Sequence, residues 1–131
     1  MKGEFVIMMY KVEAIIREGK LEDIKAALHE IEINGVTAYQ VMGFGSQRGY
    51  QTIVRGQEID AMLVPKIKLE IVVSSEEWKE KTIKKIQEIA YTGEVGDGKI
   101  FAYEITDALK IRTGETGYDA LQSTGEADQG K

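Results

Sequence analysis

One order of elements occurs twice in this chain, and the two copies are separated by a glycine-rich run. Residues 11–17 alternate, with Val12, Ala14 and Ile16 on one side and Glu13, Ile15 and Arg17 on the other, which is the period of a strand. Gly19 interrupts this pattern. Leu21, Ile24, Leu28 and Ile31 then recur at helical spacing, predicting an amphipathic helix over 20–33 that ends at Asn34-Gly35. Residues 36–42 are rich in β-formers and predict a second strand. The signals then return. Residues 66–73 alternate, with Ile67, Leu69, Ile71 and Val73 as the core face and Lys66, Lys68, Glu70 and Val72 opposite. Ser74 and Glu77 predict a capping box, opening a helix with a core stripe of Trp78, Thr82, Ile86, Ile89 and Ala90. Glu77 with Lys81, and Glu80 with Lys84, are spaced to pair along it. Gly93 stops the helix. Residues 99–103 predict a fourth strand, 104–109 a short helical turn or loop, and 110–113 a short extended end.

Between the halves, residues 43–64 hold Gly43, Gly45, Gly49 and Gly56, show no clean period and end at Pro65. An unstructured run of that length inside a small domain is usually functional. The order β-α-β, long loop, β-α-β predicts an α+β fold, the ferredoxin-like double βαβ sandwich. It has one four-stranded antiparallel sheet with two helices on one face. The second sheet face carries Ile15 and Val72 and needs a cover, for which self-association is the simplest source. With 131 residues the chain is long enough for one such core, and its 43% hydrophobic content is that of a globular fold. Residues 122–131 read as a polar tail.

The charge limits the partners. Seventeen Lys+Arg against 22 Asp+Glu give a net −5, which argues against direct nucleic-acid binding. The absence of cysteine removes a disulfide framework, a thiolate zinc site and a cysteine nucleophile. No apolar run approaches the roughly 20 residues of a membrane helix. The run from Phe5 to Tyr10 is too short for a secretory leader. A cytoplasmic protein is expected, reaching a membrane only through a partner.

The densest chemical signal is Thr92-Gly93-Glu94-Val95-Gly96-Asp97-Gly98-Lys99. Closely spaced glycines let backbone N–H groups converge on an anion, and Lys99 adds a charge beside them. Lys110 and Arg112 follow, with side chains expected to point the same way from an extended segment. Three cations near such a turn suit a polyphosphate. A solvated hairpin-like turn has the same composition. Neither a Walker loop nor a dinucleotide fingerprint is present. His29 reads as a helix-surface residue, and Ser46, Ser74 and Ser75 have no visible base to activate them.

These motifs together resemble the nitrogen regulatory P-II signal-transduction proteins, over residues 9–121. The similarity is carried by Met9-Tyr10-Lys11-Val12-Glu13-Ala14-Ile15-Ile16-Arg17, by Gly43-Phe44-Gly45-Ser46-Gln47-Arg48-Gly49, by Arg55-Gly56, by Leu63-Val64-Pro65-Lys66, by Thr92 to Phe101, and by Ile111-Arg112-Thr113-Gly114-Glu115. Residues 1–8 are then an N-terminal extension. The resemblance implies a non-enzymatic homotrimer with inward-facing sheets and a nucleotide site in each cleft between subunits, where ATP and ADP compete. By correspondence Gly96, Asp97, Gly98 and Lys99 would wrap the phosphates, with Lys110 and Arg112 reaching across. Thr37 and Val72 would sit by the adenine, and Gly43 and Gly45 near the phosphates. Gln47 would ligate a Mg²⁺ bridging ATP to 2-oxoglutarate, and Lys66 would pair with a carboxylate of the 2-oxoglutarate. The glycine-rich run would be the family's T-loop, about residues 44–64, which grips targets. Arg55 stands where the family's arginine plugs an ammonium transporter.

The loop reads Val54-Arg55-Gly56-Gln57-Glu58-Ile59 where relatives often carry two tyrosines, which removes the uridylylation site. Gln57 stands where some relatives are phosphorylated on serine. Ser46 replaces a frequent arginine, and Lys110 keeps a charge but loses the guanidinium fork. Two alternatives follow from the same residues. One is a P-II-like sensor of a different metabolite. The other is a small ferredoxin-like enzyme of the acylphosphatase type.

Overall fold

The structure, a computed structural model, describes residues 8–44, 52–54, 57–59 and 63–121. In chain order they form β1 (Met9–Arg17), a single 3₁₀ turn (Glu18–Lys20), α1 (Leu21–Glu30), β2 (Thr37–Gly43), β3 (Thr52–Val54), β4 (Gln57–Ile59), β5 (Val64–Val73), α2 (Glu76–Ala90), β6 (Lys99–Ile105) and α3 (Tyr118–Leu121). Four strands make one antiparallel sheet in the order β2-β5-β1-β6. The two βαβ halves therefore interlock, with one strand of each at the centre.

Register follows the hydrophobic alternation. Val12, Ala14 and Ile16 lie opposite Ile71, Leu69 and Ile67, so every member of the core set falls on one face. Ile24 and Leu28 of α1 and Ile86 of α2 close over that face, and all three are fully buried. On α2 the expected stripe is present, with Thr82, Ile86 and Ala90 buried and Trp78 and Ile89 half-buried. The Thr82 hydroxyl is buried at no penalty because it donates to the Trp78 carbonyl at 2.7 Å.

Local details depart from the sequence reading. Helix α1 stops before Asn34-Gly35. The reversal falls at Glu32, with φ of +69°, and Ile33 N–H closes back onto the Leu28 carbonyl at 2.8 Å. This C-terminal motif stops α1 early because it turns Ile33 onto the core beside Leu28. Helix α2 is capped by Ser75, not Ser74. Its hydroxyl accepts from Trp78 N–H at 3.1 Å, so Glu77 is one residue out of register for a capping box. Lys79 takes both Glu76 and Glu80 as partners, at 3.7 and 3.4 Å, in place of the Glu80–Lys84 pair expected. The run expected to be unstructured contains β3 and β4, which pair antiparallel. Strand β6 continues to Ile105, opposite Met9, through part of the segment expected to turn. Residues 110–113 turn instead of extending: Lys110 N–H bonds to the Glu115 carbonyl and Gly114 N–H to the Lys110 carbonyl, at 2.8 and 2.7 Å.

The other sheet face is a lattice of paired charges and aromatic rings. Lys68 meets Glu13 at 3.3 Å, and the Tyr103 hydroxyl donates to Glu13 at 2.9 Å. The Tyr39 hydroxyl donates to Glu70 at 2.7 Å. The bond from Tyr103, together with Lys68, holds the nearly buried Glu13 carboxyl below its ordinary range despite the opposing effect of burial. Phe101, 44% exposed, and Val72, 37% exposed, lie among these pairs, and no described element of the chain covers them. Among the described residues no helix is long and apolar enough to cross a membrane.

Candidate anion-binding turn

The segment between α2 and β6 is organised by one carboxylate. Asp97 Oδ2 accepts from the N–H groups of Thr92 and Gly93, at 2.8 and 2.9 Å. Its Oδ1 accepts from the Thr92 hydroxyl and from Arg17 Nε and NH2, the latter two at 3.3 and 3.2 Å. Five donors fill a carboxylate's acceptor capacity. Asp97 is therefore committed to shaping the turn, and what the turn offers a ligand comes from its backbone and neighbouring cations. The Thr92 hydroxyl, then the Thr92 and Gly93 N–H groups and Arg17, hold the Asp97 carboxyl far below the usual range. A lowered folded-state pKa contributes stability above the unfolded value, about 3.9, that is lost as pH falls. The melting temperature of the wild type should therefore fall on acidification below about pH 4, and Asp97→Asn should flatten that slope. A circular-dichroism melt series across this range checks it; an unchanged slope counts against Asp97 as the organiser.

The glycines carry the close approach. Gly96 and Gly98 sit at φ of +106° and +105°. A β-carbon on Gly98 would lie 1.8 Å from the Ile15 carbonyl oxygen, because the turn crosses directly over β1. A β-carbon on Gly96 would meet the Arg17 guanidinium at 3.2 to 3.4 Å. Lys66 Nζ donates to the Gly96 carbonyl at 2.6 Å, and a β-carbon on Gly43 would sit 3.7 Å from the Lys66 Cγ. Burial, with the nearby charge of Arg17, lowers the Lys66 pKa, and Asp97 partly offsets this. The turn thus gathers Arg17, Lys66 and Lys99 around backbone able to receive an anion.

The structure brings Gly43, Lys66, Gly96, Asp97, Gly98 and Lys99 to one end of the sheet. It places Thr37, Val72 and Lys110 elsewhere. Val72 and Lys110 line a separate cavity of about 490 Å³. Val72 lies opposite Lys11 and Lys99 opposite Ile15. In one chain they are four residues apart along the strands, about 13 Å, and two strand spacings of about 4.8 Å apart across them. Lys110, in its turn with Arg112, pairs with Glu115 at 3.8 Å and does not extend toward Lys99. Gly45, Gln47 and Arg55 lie outside the described residues. The sequence reading missed Arg17 as a site residue. The signal was its place at the end of β1, opposite Lys66 and two residues past the Ile15–Lys99 pair.

Among the described residues no group of three or more His, Cys, Asp or Glu side chains could hold a metal. The profile of the family described as "Nitrogen regulatory protein P-II" matches residues 9–115. The Rhodospirillum rubrum "Nitrogen regulatory protein P-II" is 47% identical over 113 residues, covering 86% of this chain and all of that protein. The Methanothermobacter thermautotrophicus "Nitrogen regulatory protein P-II 1" is 50% identical, over 86% of this chain and 97% of that one. Among solved structures, the Bacillus subtilis GlnK–ATP complex superposes with a TM-score of 0.72 at 35% identity, over 87% of this chain and 98% of that one. Arabidopsis thaliana PII bound to citrate gives 0.71 at 40% identity, over 90% and 94%. The chain belongs to the nitrogen regulatory P-II family, whose members are signal-transduction regulators and not enzymes.

Proposed function

We propose that this protein reports energy and nitrogen status by binding ADP or ATP, and with ATP 2-oxoglutarate, and by altering how its T-loop engages a target. The carrying observation is the preorganised turn: Gly96 and Gly98 in left-handed backbone, braced by Asp97 and Arg17, with Lys66 and Lys99 beside it. Such a turn suits phosphate oxygens, and the similar GlnK has been solved with ATP. The separation of Val72 and Lys110 from Lys99 supports a site assembled from two copies, with adenine and phosphate ends supplied by different chains. A homotrimer with inward-facing sheets would also cover Phe101 and Val72 on the open face.

Mg²⁺ fits the donor set in one way. The Asp97 carboxylate already accepts from five donors, so the ion would be held by Gln47, phosphate oxygens and 2-oxoglutarate, the all-oxygen shell that a hard cation takes. Lys66, already at Gly96, would face a carboxylate of 2-oxoglutarate. Ligand occupancy at this end would bear on the T-loop through Gly43, which ends β2 opposite Val64 of β5, two residues before Lys66. Arg55 would contact the target, an ammonium transporter or another nitrogen-metabolism protein, with the protein cytoplasmic and drawn to the membrane by that partner.

ADP or ATP with Mg²⁺ at about 100 times its Kd should stabilise the protein by about 2.7 kcal/mol, read as a rise in melting temperature. Lys99→Ala should remove that rise while leaving the ligand-free melt close to wild type, since Lys99 is exposed. No shift at millimolar nucleotide would refute the reading. A sensor of another polycarboxylate is the second reading, favoured by the citrate bound to the Arabidopsis relative. Calorimetry with 2-oxoglutarate and with citrate, each with and without Mg-ATP, separates the two.

A further inference from the structure

The pair Asn34-Gly35 does not end α1, and lies instead in the corner that follows it. The left-handed reversal at Glu32 and the bond from Ile33 N–H to the Leu28 carbonyl fold the chain back along the last turn of that helix. Asn34 is thereby set beside His29, whose Nδ1 meets Asn34 Oδ1 at 2.9 Å. An amide oxygen only accepts, so Nδ1 carries the proton and donates. Both residues are exposed, and Asn34 is the only asparagine in the chain.

Gly35 supplies the other reacting atom. It belongs to no helix or strand, and among the described residues no acceptor takes its N–H. Most backbone N–H groups of a fold are committed to a ladder or a helix; this one can give its proton to water. A β-carbon built on Gly35 would meet nothing within 4 Å, so the corner is open and the nitrogen that follows Asn34 is unhindered. A polarised amide, a free and uncrowded nitrogen next in the chain, and access to water are what an asparagine needs to cyclise onto its own backbone.

We propose that Asn34 is a self-modifying site, which deamidates through a succinimide with His29 stabilising the charge that forms on Oδ1. The Gly35 nitrogen gives its proton to water and attacks Asn34 Cγ. As the N–Cγ bond forms, the carbonyl electron pair moves onto Oδ1, where the His29 N–H holds it. That pair then returns, the Cγ–Nδ2 bond breaks, and the amide leaves as ammonia after taking up a proton from water. Water opens the succinimide at either carbonyl, leaving aspartate or, with the backbone lengthened by a methylene, isoaspartate. Nothing is oxidised or reduced, and water is the only co-reactant. Asn34 also lines the cavity of about 490 Å³ that holds Val72, so each event adds a carboxylate to a wall that already includes Glu32. A nucleotide seated there should cover Asn34 and slow the reaction. That shielding rests on the nucleotide reading above; the modification itself does not.

The test incubates the full chain in neutral buffer and follows two readouts. One is the intact mass, for the gain of an amide turned to an acid; the other is the tryptic peptide of residues 26–48, for aspartate and isoaspartate at position 34. The wild type should convert Asn34 faster than a synthetic peptide of residues 30–38, which keeps the Asn-Gly pair and lacks His29. Gly35→Ala, for which the fold has room, should lose most of the conversion, because its β-carbon crowds the attacking nitrogen. His29→Ala should slow conversion to the rate of the peptide. Wild-type conversion no faster than the peptide's would overturn the site, since the fold would then protect the amide or leave it unassisted. Conversion in His29→Ala at the wild-type rate or above would overturn the part given to His29. Millimolar ADP should slow wild-type conversion several-fold. ADP that raises the melting temperature but leaves conversion unchanged would overturn the shielding. ADP that changes neither, with conversion still faster than in the peptide, would uphold the modification and sink the nucleotide reading instead.

Discussion

Gly98→Ala should lower the melting temperature by on the order of 10 °C and abolish the response to nucleotide. Two penalties combine at this position. Its φ of +105° is a backbone state that an alanine adopts only under strain, at about 1 to 3 kcal/mol. The added β-carbon would also fall 1.8 Å from the Ile15 carbonyl oxygen, which is part of the β1 ladder and cannot rotate away as a side chain would. Relief requires lifting the turn off β1, for a further 1 to 3 kcal/mol or so. That movement would carry Lys99 and the Gly96 carbonyl away from Arg17 and Lys66, so the anion site is lost with the packing. A thermal melt with and without ADP checks both effects. An intact nucleotide response in this variant would mean that the turn is not the phosphate site.

Leu69→Ala should destabilise by a comparable 2 to 5 kcal/mol, with a different signature. Leu69 is fully buried at the centre of β5, between Ala14 of β1 and Ala38 of β2 and under the helices. Truncation leaves a cavity that rigid neighbouring strands cannot fill. None of the turn's hydrogen bonds involves Leu69, so the stabilisation by nucleotide should persist in full on the lower baseline. The pair of variants therefore separates loss of fold stability from loss of the site. If Leu69→Ala also lost its nucleotide response, the turn's geometry would depend on the core and not on its own braces.

The fold was legible because burial and period agree. Val12, Ala14 and Ile16 opposite Ile71, Leu69 and Ile67 need no partner outside the chain to specify their face. Errors fell where a local signal competed with packing. Asn34-Gly35 is the stronger stop signal, yet Glu32 takes the left-handed position because that delivers Ile33 to the core. Ser74 and Ser75 are equivalent as caps in sequence, and only the helix start chooses between them. At the site, the glycine spacing revealed the turn but not how it is braced. The Asp97 carboxylate, expected from the motif only as part of a phosphate turn, also braces that turn by accepting from five donors, and Arg17 is brought to it from 80 residues away by strand register. Long-range cations of that kind have no local sequence signature. Lys110 and Arg112 were expected to extend and instead turn, because the Lys110 and Glu115 backbones close on one another.

The central proposal, that adenine and phosphate ends of one site come from two copies of the chain, is tested most directly by mixing two defective variants. Val72→Asp spoils the adenine end and Lys99→Ala the phosphate end. Each alone should bind no ADP. Co-expressed in equal amounts and purified as one assembly, they should recover about a quarter of the wild-type ADP sites, because random mixing in a closed ring pairs the two intact halves across that share of the clefts. Recovery to that extent, counted by calorimetric titration, is the expected result. A mixed assembly that binds no ADP, beside a wild type that does, would place the whole site within a single chain and contradict the proposal.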